Sequence, residues 1–238
     1  KRTKAILGVH MFGHPVEMDP IMEIVRKKKL FLIEDAAEAH GATYKKKRVG
    51  SFGDLACFSF YANKLITTGE GGMVVANNKK LAKRVRSLRN LSFRSDRRFY
   101  HTEIGYNYRL TNMQAALGLS QIENIKKHIE IKRKNTFFYN QILEKMNLPI
   151  RLPLEKKNSK SVFWMYGIVI ENKSFDAVDL AKKLINYGIE TRPLFLGMHQ
   201  QPVLKDMQIF SKRKLPNTEE LAKYGLYLPS GLKLNRSK

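Results

Sequence analysis

The stretch FSFYANKLITTGEGGM, Phe58 to Met73, combines an apolar run, one lysine and a glycine-rich turn. Lys64 follows the apolar run directly, and a lysine at the edge of a hydrophobic core is costly unless a partner or a ligand uses it. The turn Thr67–Gly72 can bring backbone close to a bound molecule, because glycine needs little room. The stretch therefore predicts either a snorkelling surface lysine beside a flexible turn or a lysine that acts on a ligand.

Strand and helix signals alternate on the N-terminal side of this stretch. Ala5–His10 and Leu30–Ile33 are apolar runs typical of buried strands. Between them, Asp19 is predicted to cap a helix that has Pro20 at its first position. Strand–helix–strand at this spacing indicates a βαβ unit and hence a parallel sheet. Asp35 ends the second run, where open α/β sheets place their ligands, although a helix cap is an alternative role.

The other elements are predicted from periodicity and turn residues. Strands are expected at Leu55–Phe60, Gly71–Asn77 and Phe163–Ile170 and from Ile189. Helices are expected at Lys79–Leu88 and Phe175–Tyr187. A further helix, capped by Thr111, is expected from Asn112 to about Ile129 and then, bent or broken, to Leu143. Residues 45–48 and 92–106 are predicted loops. We expect a large domain over 1–125 and a smaller C-terminal domain over 126–238, in a chain cut at both ends.

Composition excludes several classes of protein. The chain has 238 residues, of which 43% are hydrophobic, so a sizeable core is available and global disorder is not expected. Cys57 is the one cysteine; within LACFSF it predicts a buried core thiol and excludes an internal disulfide. The sequence offers neither an apolar run of membrane-spanning length nor a signal peptide, which predicts a cytoplasmic protein that does not bind membranes.

The charge of the chain is strongly positive. Forty-four Lys and Arg against 21 Asp and Glu give a net charge of +23, which suits a phosphorylated small substrate or a polyanion. The basic residues occur in short runs along the whole chain, such as Arg26–Lys29 and Lys45–Arg48. Neither a zinc-finger spacing nor an aromatic-basic RNA motif accompanies them, so nucleic-acid binding is not favoured.

The order of the polar residues carries more information than any one of them. Asp35 follows one predicted strand, Ser59 ends another, and Lys64 and the glycine-rich turn come next. Pyridoxal phosphate (PLP) needs a carboxylate at its pyridine nitrogen, a lysine for its aldehyde and hydroxyls for its phosphate. The pattern therefore indicates a PLP site.

The chain resembles the DegT/DnrJ/EryC1/StrS family of sugar aminotransferases from about Gly8 to Leu232. The matching segments are GHPVEMDPI, EDAAEAHGA, GSFGDLACFSFYANKLITTGEGGMV, GYNYRLTNMQAALGLSQIE, TRPLFLGMHQQPV and LPSGL. The resemblance implies an α/β protein with the aspartate aminotransferase-like fold type I of PLP enzymes. It implies a large, mainly parallel-sheet domain, incomplete at its N-terminal side, and a smaller C-terminal α/β domain.

The same resemblance implies an activity. Within the family the sequence is most similar to the group that transfers an amino group from an amino acid, usually L-glutamate, to C4 of a nucleotide-linked 4-keto-6-deoxy sugar. Such reactions supply cell-surface polysaccharide. The sequence leaves open which nucleotide carries the sugar and whether C3 is aminated instead of C4.

Roles for individual residues also follow from the resemblance. Lys64 matches the lysine that holds PLP as a Schiff base, and Asp35 matches the aspartate that pairs with the pyridinium nitrogen. Ser59 matches a phosphate-binding serine, and Glu38 matches the position near the phenolic oxygen. Asn107 matches an asparagine that reaches the phosphate in the neighbouring subunit's site, which implies a homodimer with shared active sites.

Further polar residues are candidates for contacts with substrate. Arg109 is expected near substrate phosphate, with bracing of its loop as the alternative. His14 and His199 lie in loops that match the family and are expected near the sugar, while His40 is expected either to orient the strand end or to pack there. The sequence predicts no metal site.

Three alternatives remain at this point. In the 3-dehydratase branch of the family a histidine replaces the lysine, and Lys64 argues against that branch. A catalytically incomplete fragment or regulatory relative would keep the fold, and the implied absence of an N-terminal third supports it. A basic nucleic-acid-binding protein would bind with a steep salt dependence.

Overall fold

The computed structural model describes residues 2–94, 96–209 and 213–234. Its helices, α1 to α7 in chain order, are Met18–Lys28, Lys79–Arg89, Asn112–Glu123, Ile125–Lys145, Ala177–Ile185, Pro202–Asp206 and Pro216–Tyr224. Its strands, β1 to β11 in chain order, are Ala5–Val9, Phe31–Asp35, Thr43–Tyr44, Lys47–Arg48, Leu55–Ser59, Gly72–Ala76, Ile150–Arg151, Ser159–Lys160, Tyr166–Ile170, Arg192–Pro193 and Gly225–Leu228. The chain forms two compact units, Lys1–Ile131 with Glu155–Trp164, and Lys132–Leu154 with Met165–Lys238.

The first unit is built on a four-stranded sheet in the order β1-β2-β5-β6. β1 pairs with β2 and β2 with β5 in parallel, and β5 pairs with β6 antiparallel. The predicted βαβ unit is therefore confirmed, and the sheet is mainly parallel. α1 covers one face of the sheet, where Met18 and Leu32 are each 1% exposed and pack with Tyr44.

Three local predictions in the first unit are wrong. β1 is not a buried strand, because Leu7 is 59% and Val9 is 39% exposed. α1 begins at Met18, preceded by Glu17, so Asp19 lies in the first turn and its carboxylate pairs with Lys45 instead of capping the helix. Cys57 is exposed, because it lies on the sheet face opposite the α1 core, in register with Asp35. Alternation along a strand places neighbours on opposite faces, and an apolar run does not reveal which face is covered.

The structure corrects the predicted loop at residues 45–48 and confirms the predicted helix cap at Thr111. The predicted loop at residues 45–48 contains part of a short hairpin, in which β3 pairs with β4. The cap of α3 is confirmed, because Thr111 and Gln114 form a reciprocal capping box. The helix predicted from Asn112 to about Ile129 is broken earlier than expected, with α3 ending at Glu123 and α4 beginning at Ile125.

The second unit contains an antiparallel sheet in the order β10-β11-β9-β7. Its core includes Tyr166, Ile170 and Leu226, each 0% exposed. The strand predicted from Phe163 begins at Tyr166, and the strand predicted from Ile189 is displaced to β10. α6, α7 and β11 were not predicted, although Pro202 and Pro216 each open a helix at a position that proline favours.

α4 binds the segment that follows β11 in this second unit. Lys132 Nζ donates to the carbonyl oxygen of Ser230 at 2.6 Å and to its hydroxyl at 2.9 Å. Tyr139 donates to the Pro229 carbonyl at 3.0 Å, and Asn135 reaches the Gly231 carbonyl at 3.4 Å. Burial lowers the pKa of Lys132 to about 8, since desolvation disfavours its charged form.

Within residues 2–94, 96–209 and 213–234, none of the helices has both the length and the hydropathy needed to cross a bilayer.

The buried Lys132 makes stability depend on pH in alkaline solution. Its pKa is about 8 in the folded chain against 10.5 as the ordinary value, so the unfolded chain binds more protons between these values and stability rises with pH there. Relative to Lys132→Met, we expect the wild-type free energy of unfolding to increase by on the order of 3 kcal/mol across this range. Urea unfolding followed by circular dichroism measures it. The exposed Lys134→Met variant should keep the wild-type slope; equal slopes for all three proteins would contradict the prediction.

Candidate active site

The parallel register brings predicted site residues to one edge of the sheet in the first unit. Asp35 is the last residue of β2 and Ser59 is the last residue of β5. Because these two strands run in parallel, their carboxyl ends lie at the same edge, which is where α/β sheets bind ligands. Lys64 follows β5 in a turn that returns the chain to β6.

Backbone hydrogen bonds fix the turn that carries Lys64. The Phe60 N–H donates to the Gly71 carbonyl at 2.8 Å, and the Thr68 N–H donates to the Phe60 carbonyl at 2.9 Å. Gly71 has a φ of 151°, and a Cβ there would lie 2.5 Å from the Thr68 hydroxyl oxygen, so the position requires glycine. The Lys64 N–H donates to the Tyr61 carbonyl at 3.0 Å. The glycine-rich turn thus holds the lysine in place.

The amine of Lys64 lies between a carboxylate and an aromatic ring. Its Nζ is 3.6 Å from Oε1 of Glu38 and 4.0 Å from the centroid of the Trp164 ring. The side chains of Lys64 and Glu38 are 12% and 13% exposed. A lysine in a merely solvated turn would point into water, so this arrangement favours the second of the two roles predicted for Lys64, a lysine that acts on a ligand.

The two carboxylates of the site differ in their surroundings. Asp35 Oδ1 accepts the Ala37 N–H at 3.0 Å, and Glu38 Oε2 accepts the Phe12 N–H at 2.8 Å. Burial raises the pKa of Glu38, and the Phe12 N–H and the Lys64 ammonium partly offset that effect. Glu38 is therefore held in place by a backbone donor while its other oxygen faces Lys64.

His40 lies in the same part of the first unit. Its ring is 5.4 Å from the ring of Phe58 and 5.9 Å from that of Phe60, and the residue is 4% exposed. Burial, with a smaller contribution from the positive charge of Lys64, lowers the pKa of His40 to about 4. His40 is therefore neutral at pH 7 and packs beneath the strand end, which agrees with the packing role considered for it.

Glu34, next to Asp35, is fully buried and fully hydrogen-bonded. Its Oε1 accepts the N–H groups of Phe52 and Gly53 at 2.7 Å each. Its Oε2 accepts the Gly50 N–H at 2.7 Å and a bond from His10 Nε2 at 3.1 Å. Burial alone would raise the pKa of Glu34, but His10 and the backbone donors outweigh it and the pKa is lowered.

His10 completes this arrangement without carrying a charge. The Val16 N–H donates to His10 Nδ1 at 3.2 Å, so that nitrogen has no proton and Nε2 donates to Glu34. Both residues are 0% exposed. The pair ties the end of β1 to β2 and fixes the strand position from which Asp35 projects.

The remaining predicted residues lie in other surroundings. His14 donates from Nδ1 to the Pro15 carbonyl at 2.8 Å and accepts the Lys156 N–H at Nε2 at 3.1 Å, so both of its ring nitrogens already have partners. In the second unit, His199 is 6% exposed and its Nε2 donates to Glu219 at 2.9 Å.

Asn107 and Arg109 lie on an exposed segment near the end of α2. Arg109 donates from Nη1 to Asn90 Oδ1 at 2.7 Å, and Asn107 forms a β-bridge with the same residue. The Tyr106 N–H donates to the Leu88 carbonyl at 2.7 Å, which closes the loop at its base. The contacts of Arg109 match the bracing alternative, and Asn107 is exposed.

Sequence reasoning missed Trp164 and Phe12. The indole N–H of Trp164 donates to the Asn63 carbonyl at 2.8 Å, and its ring stacks on Phe12 with centroids 6.1 Å apart. The alternating sequence around Trp164 predicts a strand, and a contact with residues far away in the sequence leaves no periodic signal. The one available sign was that it is the single tryptophan of the chain.

Comparison with known proteins assigns the chain to a class. It matches the DegT/DnrJ/EryC1/StrS aminotransferase family over residues 1–238 and belongs to that family. Aminotransferases of the family use PLP. The chain is 44% identical over 202 residues to the GDP-perosamine synthase of Caulobacter vibrioides, covering 84% of this chain and 54% of that protein. The chain thus spans about half the length of this curated relative.

Solved structures agree on the fold. The chain is similar to Helicobacter pylori PseC, an aminotransferase involved in the biosynthesis of pseudoaminic acid, with a TM-score of 0.92, 31% identity, and coverage of 99% of this chain and 64% of that one. It is also similar to Escherichia coli GDP-4-keto-6-deoxy-D-mannose-3-dehydratase with bound hydrated PLP, at a TM-score of 0.83, 25% identity and coverage of 97% and 64%. The predicted family and fold type I are confirmed.

The residues at the sheet edge fit PLP. Lys64 offers an amine that approaches Glu38 no closer than 3.6 Å and so is not locked in a short ion pair. Asp35 retains a carboxylate oxygen besides the one bound by Ala37, and Ser59 presents a hydroxyl at the end of β5. In the described ranges, the structure contains no group of three His, Cys, Asp or Glu side chains that could hold a metal ion.

Replacing Glu34 by glutamine should destabilise the first unit. The amide nitrogen of glutamine would face backbone N–H donors, so two buried donors lose their acceptor. We expect a loss of about 3 kcal/mol in the free energy of unfolding at pH 7. Urea unfolding followed by the emission of Trp164, which lies in this unit, measures it.

The pH dependence of the free energy of unfolding of Glu34→Gln shows whether the loss comes from the ionised carboxylate. Because the pKa of Glu34 is lowered from 4.5 in the folded chain, its contribution is fully present above pH 4.5 and is lost as the pH falls below that value. The deficit of Glu34→Gln relative to wild type should therefore shrink in acid. Glu23→Gln, an exposed change on α1, should stay near wild type. A deficit that is unchanged down to about pH 3 would contradict this interpretation.

Proposed function

We propose that the protein is a PLP-dependent nucleotide-sugar aminotransferase of the perosamine synthase group. It transfers an amino group from L-glutamate to C4 of a nucleotide-linked 4-keto-6-deoxy sugar, in the synthesis of cell-surface polysaccharide in the cytoplasm. The observation that carries the proposal is the amine of Lys64, held beside Glu38 and Trp164 at the sheet edge that also ends in Asp35 and Ser59.

Asp35 and Ser59 bind and orient the cofactor in this proposal. A carboxylate at the end of β2 keeps a proton on the pyridine nitrogen, and a hydroxyl at the end of β5 donates to the phosphate. When bound, PLP supplies an electron sink for the electrons of the bond that breaks at the amino-acid α-carbon. Asp35 projects from a strand fixed by the buried Glu34, so its carboxylate is positioned before the cofactor arrives.

Lys64 would hold the cofactor through its amine and would also move a proton. With the donor amino acid bound, the free amine of Lys64 would take the proton from the donor's α-carbon and pass it to the cofactor. Glu38 lies 3.6 Å from this amine and keeps it near the sheet edge. His40 is neutral because burial lowers its pKa to about 4, so it does not repel the ammonium form of Lys64 at pH 7.

The charge of the chain supports an anionic substrate. A net charge of +23 favours a sugar linked to a nucleoside diphosphate and an acidic amino-acid donor. Asn107 lies on an exposed segment and is available to a second copy of the chain. We propose a homodimer in which Asn107 binds the cofactor phosphate in the partner's site.

Lys64 also separates the proposal from the dehydratase branch. The fold is shared with a 3-dehydratase, so the fold does not decide between the two reactions. In that branch a histidine stands where this chain has Lys64. Amination needs a primary amine that bonds to the cofactor and then shuttles the proton, and Lys64 provides one.

The first test is covalent capture of the cofactor. We expect wild-type protein mixed with PLP to develop a visible absorbance band and, after borohydride reduction, a pyridoxyl label on Lys64 located by peptide mass spectrometry. Lys64→Ala should lose both signals. Lys83→Ala, an exposed lysine change on α2, should retain them and serves as the matched control.

The assay is run on this chain and on a chimera that adds the portion of the Caulobacter vibrioides relative that this chain does not span. A label on Lys64 in either protein supports the proposal. A chimera that folds but takes up no label at Lys64 would refute it. A label on the chimera alone would assign part of the cofactor site to the added portion.

The second test identifies the substrate. Whichever protein takes up the label is prepared again with PLP but without reduction. It is incubated with L-glutamate and with GDP-, UDP- or dTDP-linked 4-keto-6-deoxy sugars, and 2-oxoglutarate and the amino sugar are measured. We expect amination at C4, assigned by NMR, and a fall of about 10²–10⁴-fold in turnover for Asp35→Asn, the range typical of a lost acid–base or electrostatic group. Amination at C3, or deoxygenation without amination, would overturn the C4 assignment.

A further inference from the structure

Trp164 is held by two hydrogen bonds that belong to different parts of the first unit. Its backbone N–H donates to the Phe12 carbonyl at 3.0 Å, and its indole N–H donates to the Asn63 carbonyl at 2.8 Å. The residue is 4% exposed and its ring stacks on Phe12. Because Asn63 directly precedes Lys64, the indole is fixed to the backbone of the lysine turn.

The same indole contacts the far end of the Lys64 side chain. Nζ lies 4.0 Å from the ring centroid, a distance at which the face of an indole attracts a cation. Glu38 lies 3.6 Å from Nζ, and its other oxygen accepts the Phe12 N–H. Phe12, Glu38, Lys64 and Trp164 therefore form a closed circuit of contacts around one ammonium group.

The backbone around this circuit adopts strained conformations that need the support of surrounding contacts. Phe12 has a φ of 53° and Phe163 has a φ of 47°, in the left-handed region that side chains other than glycine rarely adopt. Gly13 has no room for a side chain, because a Cβ would lie 2.5 Å from Val162. Strain of this kind is concentrated at functional sites, where surrounding contacts compensate for it.

We propose that Trp164 is a positioning residue that holds the Lys64 ammonium between its indole face and Glu38 whenever the amine is not bonded to cofactor. A lysine side chain has many rotamers, and a free one near the surface would spread among them. The indole binds the carbonyl of Asn63, directly before the lysine, and contacts the Lys64 ammonium, which returns the amine to one place after each turnover. The relevance to catalysis rests on the proposed function, whereas the contact itself is tested without cofactor.

Fluorescence tests the contact directly. Trp164 is the single tryptophan, so tryptophan emission reports on this indole alone. Wild type, Lys64→Met and Lys83→Met are titrated without PLP from about pH 7 to about pH 11, the range in which lysine ammonium groups lose their proton. We expect an emission change in wild type and in Lys83→Met that is missing from Lys64→Met. Tyrosine ionisation affects all three proteins equally and cancels in the comparison. Identical curves for wild type and Lys64→Met would overturn the proposal.

Chemical labelling tests the role of the ring face. Each protein is partly acetylated with acetic anhydride, and modification of Lys64 is measured against Lys83 in the same molecule by mass spectrometry. Trp164→Phe keeps an aromatic face and should stay near the wild-type ratio. Trp164→Leu keeps apolar bulk without a π face and should raise the relative reactivity of Lys64 by about fivefold. Equal ratios in all three proteins would refute the proposal.

Far-UV circular dichroism of each protein before labelling shows whether a variant has unfolded. If Trp164→Leu has lost the wild-type spectrum, the fluorescence comparison decides. The fluorescence and acetylation measurements both use protein without cofactor. A negative result in them does not bear on the capture of PLP by Lys64, and a negative PLP result does not bear on them.

Discussion

The buried carboxylate of Glu34 is the interaction on which the candidate site depends. An ionised carboxylate at 0% exposure is tolerable only when its oxygens are fully hydrogen-bonded, and here three backbone N–H groups and His10 meet that need. These donors come from the loop before β5 and from the end of β1. The group thus ties together the parts of the first unit that surround β2, and removal of any partner leaves a buried polar group unsatisfied.

The buried carboxylate of Glu34 also explains where the Asp35 carboxylate lies. Successive residues of a strand face opposite sides, so Glu34 toward the α1 core places Asp35 on the other face, in register with Val9 and Cys57. Two adjacent acids therefore have separate tasks: one holds the strand and the other is available to a ligand. A slip of one residue would exchange them, and the four hydrogen bonds to Glu34 prevent that slip.

Sequence reasoning reached the parts of the site that depend on local pattern. Strand ends, the glycine-rich turn and the position of Lys64 follow from apolar runs and from residues with special backbone needs. The order of Asp35, Ser59 and Lys64 along the chain predicted a PLP site. The resemblance supplied the chemistry expected of each. The environment of the amine was not predictable, because Trp164 comes from a segment one hundred residues further along the chain.

The wrong or missing predictions for β11 and Cys57 also arise from contacts between residues that are distant in sequence. β11 pairs with strands on both sides, yet GLYL carries too few residues to show a period, and its partners are distant in sequence. The exposure of Cys57 depended on which sheet face is covered, which an apolar run does not encode. Local propensity therefore located elements, while tertiary contacts decided their neighbours.

The fold alone leaves the reaction undecided, since a similar fold carries both amination and dehydration among solved relatives. The difference must come from the group that meets the cofactor. A lysine has a long, flexible stem, so it can bond, be displaced and remain close enough to move a proton, but that same flexibility lets it leave. The Trp164 face and Glu38 restrict the displaced amine without a short ion pair that would hold it permanently. An imidazole at position 64 would have fewer rotatable bonds to restrain, so the restraint proposed for Trp164 and Glu38 matters more for a lysine.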